Sequence, residues 1–184
     1  MKELIVIAGA NGSGKTTFSK QILSETGLEF LNADELEKEL TTSKLQAGKE
    51  FFKRLSSLID SEASFIIEST LSGKYLVKII EKVQEKGYTV RIIYIYLENP
   101  AQCIQRIKLR VNLGGHFIPD QDVIRRFYRS KSNFWNIYKN LANEWIVFYN
   151  AMTENSPKIV FGEQEEYLVE NEDLFKQFLN DINL

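Results

Sequence analysis

Short apolar runs alternate with segments of helical periodicity along most of the chain. Leu4-Ile5-Val6-Ile7-Ala8 is continuously apolar, as a strand covered on both faces of a parallel sheet must be. Residues 15–26 follow as a helix that stops at Gly27, and Phe30-Leu31-Asn32 reads as a second strand. Residues 47–61 place Phe51, Phe52, Leu55, Leu58 and Ile59 at i, i+3, i+4 spacing, which predicts a helix with one core-facing side. A third strand over 64–68, a third helix over 74–86 closed by Gly87, and a fourth strand over 90–97 continue the alternation.

After Pro100 the pattern turns helical. Residues 101–113 and 120–138 carry helical spacing, separated by Gly114-Gly115-His116-Phe117-Ile118-Pro119. In the second of these helices Val123, Ile124, Phe127, Tyr128 and Phe134 form an apolar arc, while Asp122, Arg125, Arg126 and Arg129 share another face. Residues 145–149 predict a fifth strand, 158–161 and 167–169 a terminal strand pair, and 171–182 an acidic helix. Strands alternating with helices predict an α/β fold, a parallel central sheet with helices on both faces. At 184 residues the chain has length for one well-buried core, so a single domain over 1–184 is expected.

Composition narrows the class. A charged fraction of 26% beside 43% hydrophobic residues is that of a globular protein and argues against disorder. A formal net charge of -2 argues against broad affinity for nucleic acid or anionic membrane. The single cysteine, Cys103, excludes an intrachain disulfide and a cysteine-rich metal site, which suits a reducing cytoplasm. The run from Leu4 to Ala8 is far too short for a membrane span or a signal core.

Between the first strand and the first helix stands Gly9-Ala10-Asn11-Gly12-Ser13-Gly14-Lys15-Thr16, the pattern G-x-x-x-x-G-K-[S/T]. Glycines are needed there because the backbone curls close around phosphate oxygens with its N–H groups turned inward. Lys15 brings positive charge to the outer phosphates and Thr16 a hydroxyl ligand for Mg²⁺, while the positive end of the helix favours an anion. The loop from Gly9 to Thr17 is therefore the expected binding site for ATP or GTP with Mg²⁺. The alternative is a plain glycine turn into a helix.

Ligands of open α/β sheets sit at the carboxyl ends of the strands. Asp34 follows the second strand there, and Glu68 and Thr70 follow the third. One carboxylate near an acceptor hydroxyl takes its proton, and another holds the water shell of the metal. Asp34 is assigned the first task and Glu68 the second, against the alternatives that Asp34 and Thr70 are helix N-caps. Between residues 99 and 140 the positive residues Arg106, Lys108, Arg110, Arg125, Arg126, Arg129, Lys131 and Lys139 face only Asp120 and Asp122. That segment is expected to form a basic helical lid that closes over transferred phosphate, with Arg106 and Arg110 on one helical face and Gly114-Gly115 as the hinge before the helix that carries Arg126. The alternative is a solvated basic face. His116, in the intervening loop, is assigned to substrate contact, against the alternative of a local hydrogen-bonding residue.

Taken together, residues 9–17, Asn32-Ala33-Asp34, Ile67-Glu68-Ser69-Thr70-Leu71, Gly87-Tyr88, Gly114-Gly115-His116-Phe117-Ile118-Pro119 and Arg125-Arg126-Phe127-Tyr128-Arg129-Ser130 resemble the zeta-toxin family over about residues 4–150. The resemblance implies a P-loop NTPase fold of adenylate-kinase type. It also implies phosphorylation of UDP-N-acetylglucosamine and an epsilon antitoxin as partner. By it Lys15 binds phosphate, Asp34 is the general base, Glu68 and Thr70 contact substrate or metal, and Arg110 and Arg126 are lid arginines. The chain departs from the family at Ser72, where an arginine is usual. A nucleotide-hydrolysing switch, a kinase of another metabolite and a nucleic-acid-end kinase are the competing expectations. The last lacks an evident base-stacking surface, since the aromatics fall mostly in apolar arcs.

Overall fold

β1 (Glu3–Ala8) is the buried axis of the molecule: Leu4, Val6, Ile7 and Ala8 have no accessible surface. The computed structural model describes residues 2–39, 43–115, 117–150 and 156–182, with Asp34, Lys38 and Lys44 in backbone only. β3 (Phe65–Ser69) and β4 (Thr89–Tyr96) flank β1 in parallel, Leu4 pairing with Phe65 on one side and Val90 on the other. β2 (Glu29–Leu31) lies beside β3, and β5 (Glu144–Tyr149) beside β4. An antiparallel hairpin of β6 (Lys158–Glu163) and β7 (Glu166–Val169) completes the order β2-β3-β1-β4-β5-β6-β7 among the described residues. Because the strand order reverses around β1, the turn that follows β1 opens onto the crevice where such sheets bind ligands.

α1 (Lys15–Thr26) covers one face, its Phe18, Ile22 and Leu23 packing against Ile5, Ile7, Ile66, Ile93 and Ile95. The opposite face is covered by α3 (Lys44–Asp60), α4 (Tyr75–Glu85) and α8 (Glu172–Leu179), which bury Phe51, Leu55, Leu76, Ile80, Phe175 and Phe178. α5 (Pro100–Asn112) and α6 (Asp120–Asn133) build a third cluster in which Cys103, Ile107, Val123 and Phe127 meet Ala10 and Leu97. α2 (Ala33–Glu39), between β2 and α3, is a short helix that periodicity does not signal. No helix among the described residues is long and apolar enough to cross a membrane.

Local sequence sets the helix ends. Gly27 adopts φ 66° and its N–H reaches Leu23 O at 2.9 Å, the left-handed stop that a side chain would strain. Asn99 caps α5 by accepting from Gln102 N at 3.0 Å, with Pro100 in the first position. Asn171 does the same for α8 through Leu174 N.

The helix expected over residues 120–138 is not uniform. α6 widens into a π-helical turn, Phe134–Tyr138, and continues as α7 (Lys139–Leu141). The wide turn falls where the helix meets the core. Phe134 stacks on Tyr94 at 4.6 Å, Trp135 lies edge-on to Trp145 at 5.8 Å, and the Tyr138 hydroxyl donates to Gly73 O at 2.7 Å. The wide turn thus carries three aromatic side chains whose contacts join it to β4, β5 and the turn after β3.

Two residues counted in the basic segment do not belong to a solvated face. Lys131 is 1% exposed, donates to Asn180 O at 2.6 Å and lies over the rings of Tyr96, Phe127 and Phe178. Lys139 is buried too, above Trp135 at 4.9 Å, with Asn140 Oδ1 as acceptor. Their aliphatic stems and ring contacts serve the core.

Burial pushes the Lys131 amine down to about 8, against the opposing pull of Asp181. Between that value and the ordinary lysine value near 10.5, the unfolded chain holds a proton that the folded chain has released. Stability attributable to Lys131 therefore rises with pH across this window and is flat below it. Urea midpoints measured from pH 7 to 10.5 are expected to rise for the wild type relative to Lys131→Met, and parallel curves would show that the amine is not desolvated.

Candidate active site

At the end of β1 the chain turns through Gly9 to Gly14 and enters α1 at Lys15. All three of its glycines are forced by neighbours, Gly9 by the backbone carbonyl of Ile95 in β4. Gly12 has φ 80°, and a Cβ on it would lie 2.6 Å from the carbonyl oxygen of Cys103 in α5. Gly14 has φ 97°, and a Cβ there would overlap the side-chain amide of Asn150. Only a residue without a side chain fits any of these places.

The Lys15 side chain is only 6% exposed, and its Nζ donates to Ala10 O at 2.9 Å, so the ammonium is folded over the loop. Among the described residues, Ser13 Oγ is the buried side-chain oxygen or nitrogen without a hydrogen-bond partner. A buried hydroxyl of that kind costs free energy until an acceptor or donor reaches it. A glycine loop, a lysine head and an orphaned hydroxyl at a helix N-terminus suit a phosphate group.

Beside the loop, Thr16 Oγ1 donates to the Glu68 carboxylate, 3.0 Å from Oε2 and 3.2 Å from Oε1. Ser19 Oγ lies 3.5 Å from the same carboxylate while donating to Lys15 O at 2.9 Å. Glu68 is inside β3 and not after it: its Cα pairs with Ile7, and it shares the α1-covered face with Ile66. A hydroxyl and a carboxylate side by side at the phosphate loop are a donor set for a hard divalent cation such as Mg²⁺.

Thr70 is not a helix cap, because Lys74 occupies the cap position of α4. The Thr70 hydroxyl pairs with Ser72 Oγ at 2.9 Å in a turn where Leu71, fully buried, takes φ 53°. Asn133 Nδ2 donates to Leu71 O at 2.8 Å, and Tyr138 to Gly73 O, so the helix that follows α5 holds this turn from the other side. Asp34 is the second residue of α2, and Asn32 O receives Leu36 N at 3.0 Å, so the cap belongs to Asn32. The Asp34 side chain lies outside the described residues, as does His116.

The arginines separate into different settings. Arg126, half-buried, donates from NH1 to Asn11 Oδ1 of the loop at 3.4 Å. Arg106 donates to Asn150 O at 2.8 Å, and burial lowers its pKa. Arg110 is exposed in the last turn of α5, its carbonyl accepting from Gly115 N at 2.9 Å. Arg129 is also exposed. Arg125 pairs with Asp122 at 2.8 Å, and Lys108 with Asp120 at 3.4 Å, surface bridges worth about 0–1 kcal/mol each. Gly114 takes φ 82° and closes α5 through its N–H to Val111 O.

Asn150, Asn133 and Tyr138 are site-shaping residues that the sequence reading passes over. A signal existed for Asn150, which directly follows the strand predicted over 145–149 and so stands at the ligand edge of the sheet. Nothing local marks the other two.

The AAA_33 family model, described as an AAA domain, matches residues 4–130, from β1 through most of α6. An uncharacterised protein of Haemophilus influenzae is 28% identical over 129 residues, covering 67% of this chain and 91% of that protein. A chain of the AvrRxo1-ORF1:-ORF2 complex with ATP superposes with a TM-score of 0.74 at 17% identity. It covers 98% of this chain, while this chain spans 64% of that one, under two thirds of its length. A chain of the PezAT chromosomal toxin-antitoxin system of Streptococcus pneumoniae gives 0.61 at 18% identity, covering 98% and 79%. The α/β architecture is that of the P-loop kinases.

Lys15→Ala is expected to weaken binding of a fluorescent ATP analogue by at least about tenfold, the worth of a charge-assisted hydrogen bond, with the melting temperature nearly unchanged. Titration of both proteins checks it, and equal affinity would remove the loop from nucleotide binding.

Proposed function

Since the chain belongs to the AAA_33 family, whose model describes an AAA domain, we propose that it is an ATP-dependent kinase that phosphorylates a hydroxyl of a small molecule. One observation carries the reading. The Thr16–Glu68 pair, the Lys15 ammonium and the Arg126 guanidinium all converge on one glycine loop at the carboxyl edge of the sheet.

The loop N–H groups and Lys15 hold the β- and γ-phosphates, and Ser13 Oγ gains the partner it lacks. Thr16 and Glu68 would hold Mg²⁺, which when bound neutralises phosphate charge. Asp34, the second residue of α2 after the carboxyl end of β2, takes the proton of the acceptor hydroxyl. The acceptor oxygen forms a bond to the γ-phosphorus as the bond to ADP breaks, and Arg126 meets the charge spread over the moving group. Thr70 and His116 belong to the acceptor side in this scheme, and Arg110 closes from the exposed end of α5.

The resemblance to zeta toxins, supported by the fold shared with the PezAT chain, makes a nucleotide sugar such as UDP-N-acetylglucosamine the first acceptor to test and an antitoxin the partner to seek. Incubation with Mg-ATP and a metabolite extract, followed by mass spectrometry, tests the function. A species gaining one phosphate mass is expected. ADP and inorganic phosphate with no such species would instead identify a nucleotide-hydrolysing switch.

Asp34→Asn is expected to keep ATP affinity and lose transfer by about a hundredfold or more, since an amide accepts no proton from the hydroxyl. Single-turnover assays on the identified acceptor measure it, and turnover near wild type would free Asp34 of the role.

Arg126→Ala is expected to lower kcat by about tenfold to a hundredfold with little change in melting temperature, and Arg129→Ala by less. Arg126 reaches the loop and Arg129 does not. An Arg126 variant within about twofold of wild type, well under 1 kcal/mol, would return its guanidinium to a surface role.

A further inference from the structure

The phosphate loop is held from behind by a residue 137 positions away in the chain. Asn150, directly after β5, donates from Nδ2 to Ser13 O at 2.7 Å. Its own backbone is fixed twice: Asn150 N donates to Tyr96 O at 3.0 Å, and Arg106 NH2 donates to Asn150 O at 2.8 Å. The side chain packs so closely on the loop that a Cβ on Gly14 would overlap its amide nitrogen.

A trans peptide points its C=O and the following N–H in opposite directions. A donor placed on Ser13 O therefore turns the Gly14 N–H away from Asn150, toward the other side of the loop. Gly14 is itself the N-cap of α1, where the helix N-terminus favours an anion. Gly14, with φ 97°, has the backbone freedom to flip this peptide if nothing restrains it. The glycine before Lys15 thus has two demands placed on it, room for the Asn150 amide and a left-handed backbone, and Asn150 removes the freedom that comes with them.

We propose that Asn150 is a positioning residue for phosphate binding: through Ser13 O it locks the Ser13–Gly14 peptide with its N–H facing the phosphates, and Arg106 holds Asn150 in place. The inference rests on the reading of the glycine loop as a nucleotide site. It assigns to the segment after the fifth strand a task in grasping the phosphates, separate from any contact with the base.

Affinity for a fluorescent ATP analogue, and competition by inorganic tripolyphosphate, are measured for wild type, Asn150→Ala, Asn150→Ser and Asn150→Asp, with melting temperatures alongside. Tripolyphosphate carries no base, so it reports the phosphate cradle alone. Asn150→Ala is expected to weaken both ligands by about tenfold, which is about 1.4 kcal/mol, a single hydrogen bond's worth. Asn150→Asp should weaken them further, since a carboxylate repels both Ser13 O and phosphate. Asn150→Ser, which keeps the backbone bonds and a shorter donor, should fall between wild type and Asn150→Ala and serves if the alanine variant folds poorly. Arg106→Ala should weaken both ligands in the same sense by a smaller factor. Variants that lose melting temperature but keep both affinities within twofold would make Asn150 merely structural and overturn the proposal. Loss of the ATP analogue without loss of tripolyphosphate would move its role to the base and overturn it too. A wild type that binds neither ligand would instead defeat the nucleotide reading on which the inference stands.

Discussion

There is no room for a side chain at the glycines of the turn between β1 and α1, and the surrounding elements are arranged to that constraint. The Cys103 carbonyl of α5 comes up against Gly12, and the Asn150 amide against Gly14. Those approaches bring the first turn of α5 and the end of β5 onto the loop, leaving a small apolar cluster of Ala10, Leu97, Cys103 and Ile107 beneath it. Burial pushes the Cys103 thiol up to about 11, so the side chain stays neutral and behaves as a compact hydrophobe there. A bulkier loop would separate α5 from the sheet and lose the support that fixes its N–H groups.

The long helix from Asp120 to Leu141 ties the two sides of the site together. Near its start Arg126 touches Asn11 of the phosphate loop, and further along Asn133 and Tyr138 hold the turn after β3. That turn contains Leu71 in the left-handed region, a conformation costing about 1–2 kcal/mol for a residue with a Cβ. Complete burial of the Leu71 side chain and the bond from Asn133 offset the cost. The helix is therefore less a free lid than a packed bar, its Val123, Phe127, Phe134 and Tyr138 all buried while Arg125 and Arg129 face solvent.

The buried lysines show the same packing from the opposite direction. Lys131 and Lys139 stand among aromatic rings where a neutral side chain would be less costly to bury, yet each finds an acceptor and ring faces. Cation–π contacts of this kind return about 0.5–2 kcal/mol each, part of the desolvation cost. Lys131 links α6 to the end of α8 through Asn180 O, so it fastens the terminal helix to the helix that carries Arg126.

By itself the sequence determined the alternation of strands and helices, the parallel sheet covered on both faces, the terminal strand pair and the glycine loop with Lys15 and Thr16. These are readable because apolar spacing follows the period of each element and because the loop's residues are consecutive. Only the tertiary structure decided that Glu68 lies within β3 against Thr16, that Asn32 rather than Asp34 caps α2, and that Lys131 and Lys139 turn inward while Arg126 reaches the loop. It also set the contacts of the π-helical turn with Tyr94, Trp145 and Gly73, residues that only folding brings near. The contact from Asn150 to Ser13 spans 137 positions. No local propensity encodes a hydrogen bond over that separation; it exists because parallel pairing sets the ends of β1, β4 and β5 side by side.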